Sequence, residues 1–280
     1  MQKKRKKFWL GFGIACAVIV SLCTIFALVT GVKTVTVEFT SRLKTNSQLE
    51  KGTLDKVKDS GEFDYGKSLL FLNLDKNIEK IEKSNPYVKV EKVVRHFPNV
   101  VRVYISERAP RYRIKDFEDE TKWYILDKDF KVVDVVTSDI KANNYGTASY
   151  YDKTVEIQSE DLKKSFYVGN FVDEEFNESC FNTIVKGVQR RTNGEFSMIK
   201  TISISSTNNE FTFTLTMKNG GINNDEGCKI VATGVYELED KIFSGINYFY
   251  TSGGTDVDLS NNTITIVERN GEYVGIGTED

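Results

Sequence analysis

The chain has 280 residues, with 38 Lys+Arg against 40 Asp+Glu, one histidine and four cysteines. Five of the cations crowd into residues 3–7, so the remainder carries 33 against 40 and presents no basic surface for nucleic acid. A lone histidine, His96, cannot make a two-histidine metal site, and no GxSxG, HExxH, phosphate-loop or dinucleotide glycine motif sits in a strand–turn–helix context. No catalytic residue, cofactor, metal or small-molecule substrate is expected.

In chain order, residues 1–7 form a basic tail, and Phe8 to Thr30 follows as 23 residues without a charged side chain. A bilayer core needs about 20 helical residues, and the run has neither a polar stripe nor a small-x-small cleavage site after it. Residues 8–30 therefore read as a retained transmembrane helix, and the cations before it place the tail in the cytoplasm and the rest outside. So short a tail argues against a signalling receptor.

Val32 to Phe39 alternates as a half-buried strand, and Ser47-Gln48-Leu49-Glu50 reads as a capping box that opens a helix stopping near Gly61. A second helix carries Leu74, Ile78 and Ile81 on one face, capped by Asn73 or Asp75 and ended by Asn85-Pro86. Strands at 87–97 and 100–108 follow, turned by Pro98-Asn99. Strand–helix–helix–strand–strand makes a compact α+β unit. Beyond it, 113–134 reads as two short strands, 137–152 as a polar loop, and 173–191 as a helix with Phe176, Cys180, Ile184 and Val188 inward. Strands at 199–205 and 210–217 end at the turn Asn219-Gly220. Lys229-Ile230-Val231 leads into a helix at 235–250 facing Leu238, Ile242, Ile246 and Phe249 inward. The strand Thr263 to Glu268 closes the pattern, and 270–280 reads as a loose tail. Cys16 and Cys23 lie in the apolar run, and Cys180 and Cys228 read as partly buried free thiols.

The run Gly66, Leu69-Leu70, Leu74-Asp75, then Arg95-His96-Phe97-Pro98 and Glu107-Arg108-Ala109-Pro110, resembles a POTRA domain. More narrowly, it resembles the FtsQ/DivIB family of bacterial division proteins, with its strand ending Arg-x-x-Pro and the next ending Glu-Arg-x-Pro. Tyr124, Asp127 and Phe130 are similar to that family's Tyr-x-x-Asp-x-x-Gly, with Phe130 in the glycine's place. Glu239-Asp240-Lys241 and Gly254 to Ser260 follow the order of its last helix and Gly-x-Ile/Val-Asp-Leu motif.

The resemblance implies an α+β fold. A transmembrane helix would lead into a POTRA-like domain at 32–110, followed by a mixed β-sheet domain with flanking helices at 111–269. It also implies a non-enzymatic scaffold at the division septum that binds FtsB/DivIC-like and FtsL-like coiled-coil proteins, and through them the synthase pair FtsW/FtsI. The partner-binding candidates are Thr263, Ile264, Thr265, Ile266, Val267 and Glu268, read as an edge strand able to template another chain. The POTRA motif residues are Arg95, Pro98, Glu107, Arg108 and Pro110; Arg95 and Glu107-Arg108 read equally as a binding site or as cross-strand ion pairing. The rival reading is a membrane-anchored POTRA adaptor in protein export or envelope assembly.

Overall fold

The computed structural model describes residues 2–40, 49, 52–137, 154–172, 180–192, 196–208, 210–218, 227–252 and 262–279. The chain divides into two compact units, Met1–Arg108 and Ala109–Asp280. The first begins with α1 (Gln2–Val29), in which Phe12, Ile19 and Leu28 are 55%, 59% and 71% exposed. Ser21 and Thr24 donate their hydroxyls to the carbonyls of Ala17 and Val20 one turn back, at 2.9 and 2.8 Å. The side chains of α1 described without a break run from 12 to 26. Among the described residues, no helix is long and apolar enough to cross a membrane.

The rest of this unit is β1 (Thr34–Phe39), α2 (Thr53–Ser60), α3 (Leu74–Ser84), β2 (Val88–His96) and β3 (Val100–Glu107). The sheet order is β1-β3-β2, with β1 parallel and β2 antiparallel to β3. Alternation in β3 turns Val101, Val103 and Ile105 onto a core that also holds Val35, Val57, Leu69, Ile81 and Val88. The start of α3 is capped by Asn73, whose Oδ1 accepts from the Lys76 N–H at 3.1 Å. The expected capping box falls outside the described residues at Ser47, Gln48 and Glu50. Helix α2 instead opens at Thr53 behind Gly52 (φ 92°), and Gly61 ends it in a right-handed conformation (φ −65°).

The second unit is built on one nine-stranded sheet, ordered β12-β11-β10-β9-β8-β7-β4-β5-β6. Its strands are β4 (Tyr112–Lys115), β5 (Lys122–Leu126), β6 (Val132–Thr137), β7 (Val155–Ser159), β8 (Ile199–Thr207), β9 (Glu210–Met217), β10 (Lys229–Thr233), β11 (Asn262–Arg269) and β12 (Glu272–Glu279). The helices are α4 (Asn182–Thr192) and α5 (Leu238–Thr251). Parallel neighbours cannot be joined by a hairpin, so β7–β8 and β10–β11 are each bridged by a crossover, carrying α4 and α5 respectively. The two helices meet at Gly187, where a Cβ would stand 2.7 Å from the Glu239 carbonyl oxygen and 2.9 Å from Ile242 Cβ. Tyr112 stacks on Phe130 at 4.9 Å, and Phe181 meets both rings edge-on at 5.3 and 4.8 Å.

Helix α5 buries Leu238, Ile242, Ile246 and Phe249 as its periodicity requires, and β9 buries Phe213, Leu215 and Met217. Three expectations change. Residues 113–134 hold parts of three strands, not two, because Asp127 and Lys131 close a second turn between β5 and β6. Strand β7, unforeseen, pairs in parallel between β4 and β8 with Val155 and Ile157 buried. In the region expected as a helix from 173, Phe181 is buried and Cys180 only half-buried; residues 173–179, Phe176 among them, lie outside the described set. Of the loop expected at 137–152, Thr137 ends β6 and the rest lies outside the described set, as do the turn Asn219-Gly220 and the Gly254 to Ser260 motif. Cys180 is half-buried and Cys228 buried, and burial pushes the Cys228 thiol up to about 11.

Candidate partner-binding edge

Thr263, Ile264, Thr265, Ile266, Val267 and Glu268 do not form a free edge. They lie in β11, which pairs in parallel with β10 and antiparallel with β12. The edge belongs to the stretch expected to be loose. Asn270 and Gly271 both adopt positive φ (55° and 80°), the geometry of a type I′ hairpin turn, and fold residues 272–279 back as β12. The signal was in the sequence, since Asn-Gly after an alternating strand is a strong hairpin cue.

A two-residue turn makes Arg269 and Glu272 a hydrogen-bonded pair, and bonded pairs then alternate along the ladder. Glu272, Val274, Ile276 and Thr278 thus address β11, whereas the N–H and C=O groups of Tyr273, Gly275 and Gly277 point away from it. The Tyr273 carbonyl is taken by the Ser244 hydroxyl of α5 at 2.7 Å. Among the described residues no further strand pairs with β12, so its open positions include Gly275 and Gly277. Their missing side chains have a packing reason: a Cβ on Gly275 would lie 2.8 Å from Tyr248 Cβ, and one on Gly277 would lie 3.3 Å from the Tyr248 hydroxyl. Helix α5 therefore covers one face of β12 closely, and Val274 (38% exposed) and the half-buried Ile276 project from the other.

At the turn end of this edge, the Glu237 carboxylate accepts hydrogen bonds from Tyr236 and Tyr273, which raises both phenols, Tyr273 to about 12. Lys241 donates to the Thr233 carbonyl at 2.8 Å and lies over the Tyr273 ring at 5.3 Å. These contacts pin α5 to the ends of β10 and β12.

The POTRA motif residues separate into two places. Arg95 lies opposite Val101 near the hairpin tip, and Glu107 lies opposite Val88 at the far end, so they form no cross-strand ion pair with each other. Arg95 instead donates from Nη2 to the Leu72 carbonyl at 2.9 Å. Arg108, 4% exposed, donates to Glu82 Oε2 at 2.9 Å and to the Val88 carbonyl at 3.2 Å, and Glu82 Oε1 accepts from the Val90 N–H at 2.8 Å. Glu82, which the sequence did not single out, is thus the acid that fastens the end of α3 to the start of β2. Pro98 follows Phe97 through a cis peptide in the hairpin turn, and Pro110 is half-buried two residues beyond Arg108. His96 is half-buried at the end of β2, and among the described residues no group of His, Cys, Asp or Glu could hold a metal ion.

Compared with known proteins, residues 32–108 match the family described as POTRA domain, FtsQ-type. No curated protein matches the chain.

Proposed function

We propose, for a chain whose residues 32–108 are an FtsQ-type POTRA domain, a non-enzymatic scaffold of the bacterial division septum, anchored in the cell membrane by residues 8–30. The anchor is supported by the charge-free run within α1, by its exposed apolar side chains, and by hydroxyls that satisfy themselves on their own helix, as a lipid environment demands. Confinement to the membrane plane raises the effective concentration of other anchored partners.

The observation that carries the binding role is the open backbone of β12 at Gly275 and Gly277. An extended segment of an FtsB/DivIC-like protein, itself held by an FtsL-like coiled coil and leading on to FtsW/FtsI, would add there as a tenth strand. Backbone bonds would supply its affinity, and Val274 and Ile276 its selectivity. Thr263 to Glu268 support this strand from behind.

The test is photo-crosslinking in growing cells from an unnatural side chain at position 276, with position 265 in β11 as the interior comparison. Capture of a small single-pass coiled-coil protein from 276, and filamentation when the chain is depleted, are the expected results. A blank at 276 from protein that still gathers at midcell would sink the strand addition. Capture of an export or barrel-assembly component would overturn the division role.

A further inference from the structure

Helix α1 does not run into the POTRA domain through a slack linker. The Thr30 N–H still bonds the Phe26 carbonyl at 2.9 Å, and Thr30 is also held by the loop after Gly66. Its carbonyl accepts from the Leu69 N–H at 2.9 Å, and its hydroxyl meets the Ser68 hydroxyl at 2.8 Å. One residue on, a Cβ at Gly31 would lie 2.7 Å from the Gly66 carbonyl oxygen, and Val32 exchanges bonds with Gly66 and Lys67. The hairpin turn arrives at the same place, since the Asn99 carbonyl accepts from the N–H groups of Lys33 and Thr34 at 2.9 and 3.3 Å.

Among the described residues, these two segments carry nearly all the exposed apolar bulk of the domain. Of the large hydrophobic side chains described as exposed between residues 32 and 108, Tyr65 (57%), Leu70 (51%) and Phe71 (73%) lie on or beside the first and Phe97 (57%) on the second. The fifth, Leu54, is exposed by 37%. Arg95 joins the two segments through its bond to the Leu72 carbonyl, one residue past Phe71 and two before Phe97. The apolar run ends at Thr30, and a residue advances the chain by at most about 3.6 Å. Leu70 and Phe71 are therefore within reach of the interfacial layer, about 5–7 Å deep on each side of the hydrocarbon. Aromatic side chains favour that depth, and the exposed cation Lys33 suits anionic headgroups.

We propose that this end of the domain is a lipid-contacting surface, with Tyr65, Leu70, Phe71 and Phe97 seated in the outer headgroup layer of the membrane that α1 spans. The proposal rests on the anchor reading. It gives the domain a fixed stance on the bilayer rather than leaving it free on a tether.

The experiment uses the full chain in nanodiscs of phosphatidylethanolamine and phosphatidylglycerol. A photoreactive phenylalanine is placed in turn at positions 71, 97, 19 and 91, and protein–lipid adducts are read by intact mass. Position 91 is the distal control: Phe39, opposite Ile105, lies roughly 16 Å along the strand from Thr34, and Glu91 accepts from the neighbouring Ser106 hydroxyl. Adducts at 19, 71 and 97 with none at 91 are expected. Adducts at 19 alone would overturn the surface and leave the anchor standing. Their absence at 19 would overturn the anchor reading, and equal yields at 71 and 91 would overturn the surface.

Discussion

At the scale of single residues, the strained backbone of Phe130 and the buried carboxylate of Asp116 are each held by identifiable partners. Phe130 has φ 61°, where the FtsQ/DivIB pattern has glycine, and its ring is 2% exposed against Tyr112 and Phe181. Holding a side chain there costs about 1–2 kcal/mol, whereas losing a buried phenylalanine costs about 3–5 kcal/mol. Phe130→Gly is therefore expected to lower stability by about 1–4 kcal/mol in urea unfolding, although it restores the pattern's residue. The other two positions of that motif are held as well, Asp127 by this turn and Tyr124 by the loop between β4 and β5. Asp127 Oδ1 accepts from the N–H groups of Asp129 and Lys131, both at 2.9 Å, and the Tyr124 hydroxyl donates to Asp116. Burial by itself would raise Asp116, but the bonds from Tyr124, the Asp119 and Glu118 N–H groups and Lys122 outweigh it and hold the carboxyl at about 2, below its ordinary 3.8. A depressed acid stabilises the fold above its unfolded pKa, and this stabilisation fades as pH falls through the folded value. Wild-type stability should thus decline between pH 3.8 and about 2, and Asp116→Asn should remove that part of the slope.

At the scale of elements, the hairpin of β11 and β12 shows what was legible and what was not. The alternation of 263–268 and the periodicity of α5 were plain, because one-sided burial writes directly into residue spacing. Strand β12 was missed because Gly275 and Gly277 on its inward face carry no apolar side chain to mark that face as buried. The reason for those glycines, Tyr248 lying against them, is tertiary. Strand β7 escaped for a related cause: five residues with only Val155 and Ile157 buried are a thin signal without the two strands that flank it. In the POTRA domain, the order of strands and helices was readable, but the partner of Arg108 was not, since Glu82 lies 26 residues away with nothing local to point to it. The packing makes a sharp test. Gly275→Val would drive a side chain into Tyr248 and Ile264, whose nearest atoms stand 2.8 and 3.0 Å from the new Cβ. Hydrogen exchange should then show loss of protection in β12 with β9 and β10 unchanged, together with reduced partner capture at position 276.

At the scale of the whole molecule, two cores imply two unfolding events, one for each unit. Glu82→Ala would strand the buried Arg108 guanidinium, a loss of about 3–5 kcal/mol, and should lower the transition of the first unit in calorimetry while leaving that of the second in place. A single transition shifted as a block would contradict this. The parallel pairing of β1 with β3 has a mechanical consequence. The chain enters the POTRA sheet at Thr34 and leaves it after Glu107, and the ladder that runs from Thr34↔Val100 to Phe39↔Ile105 puts those two points at opposite ends of adjacent strands. A pull between these two points would load all the bonds of that ladder together, in shear, rather than peel them open one by one. Arg108, bolted to Glu82 at the exit, sits where that tension would arrive.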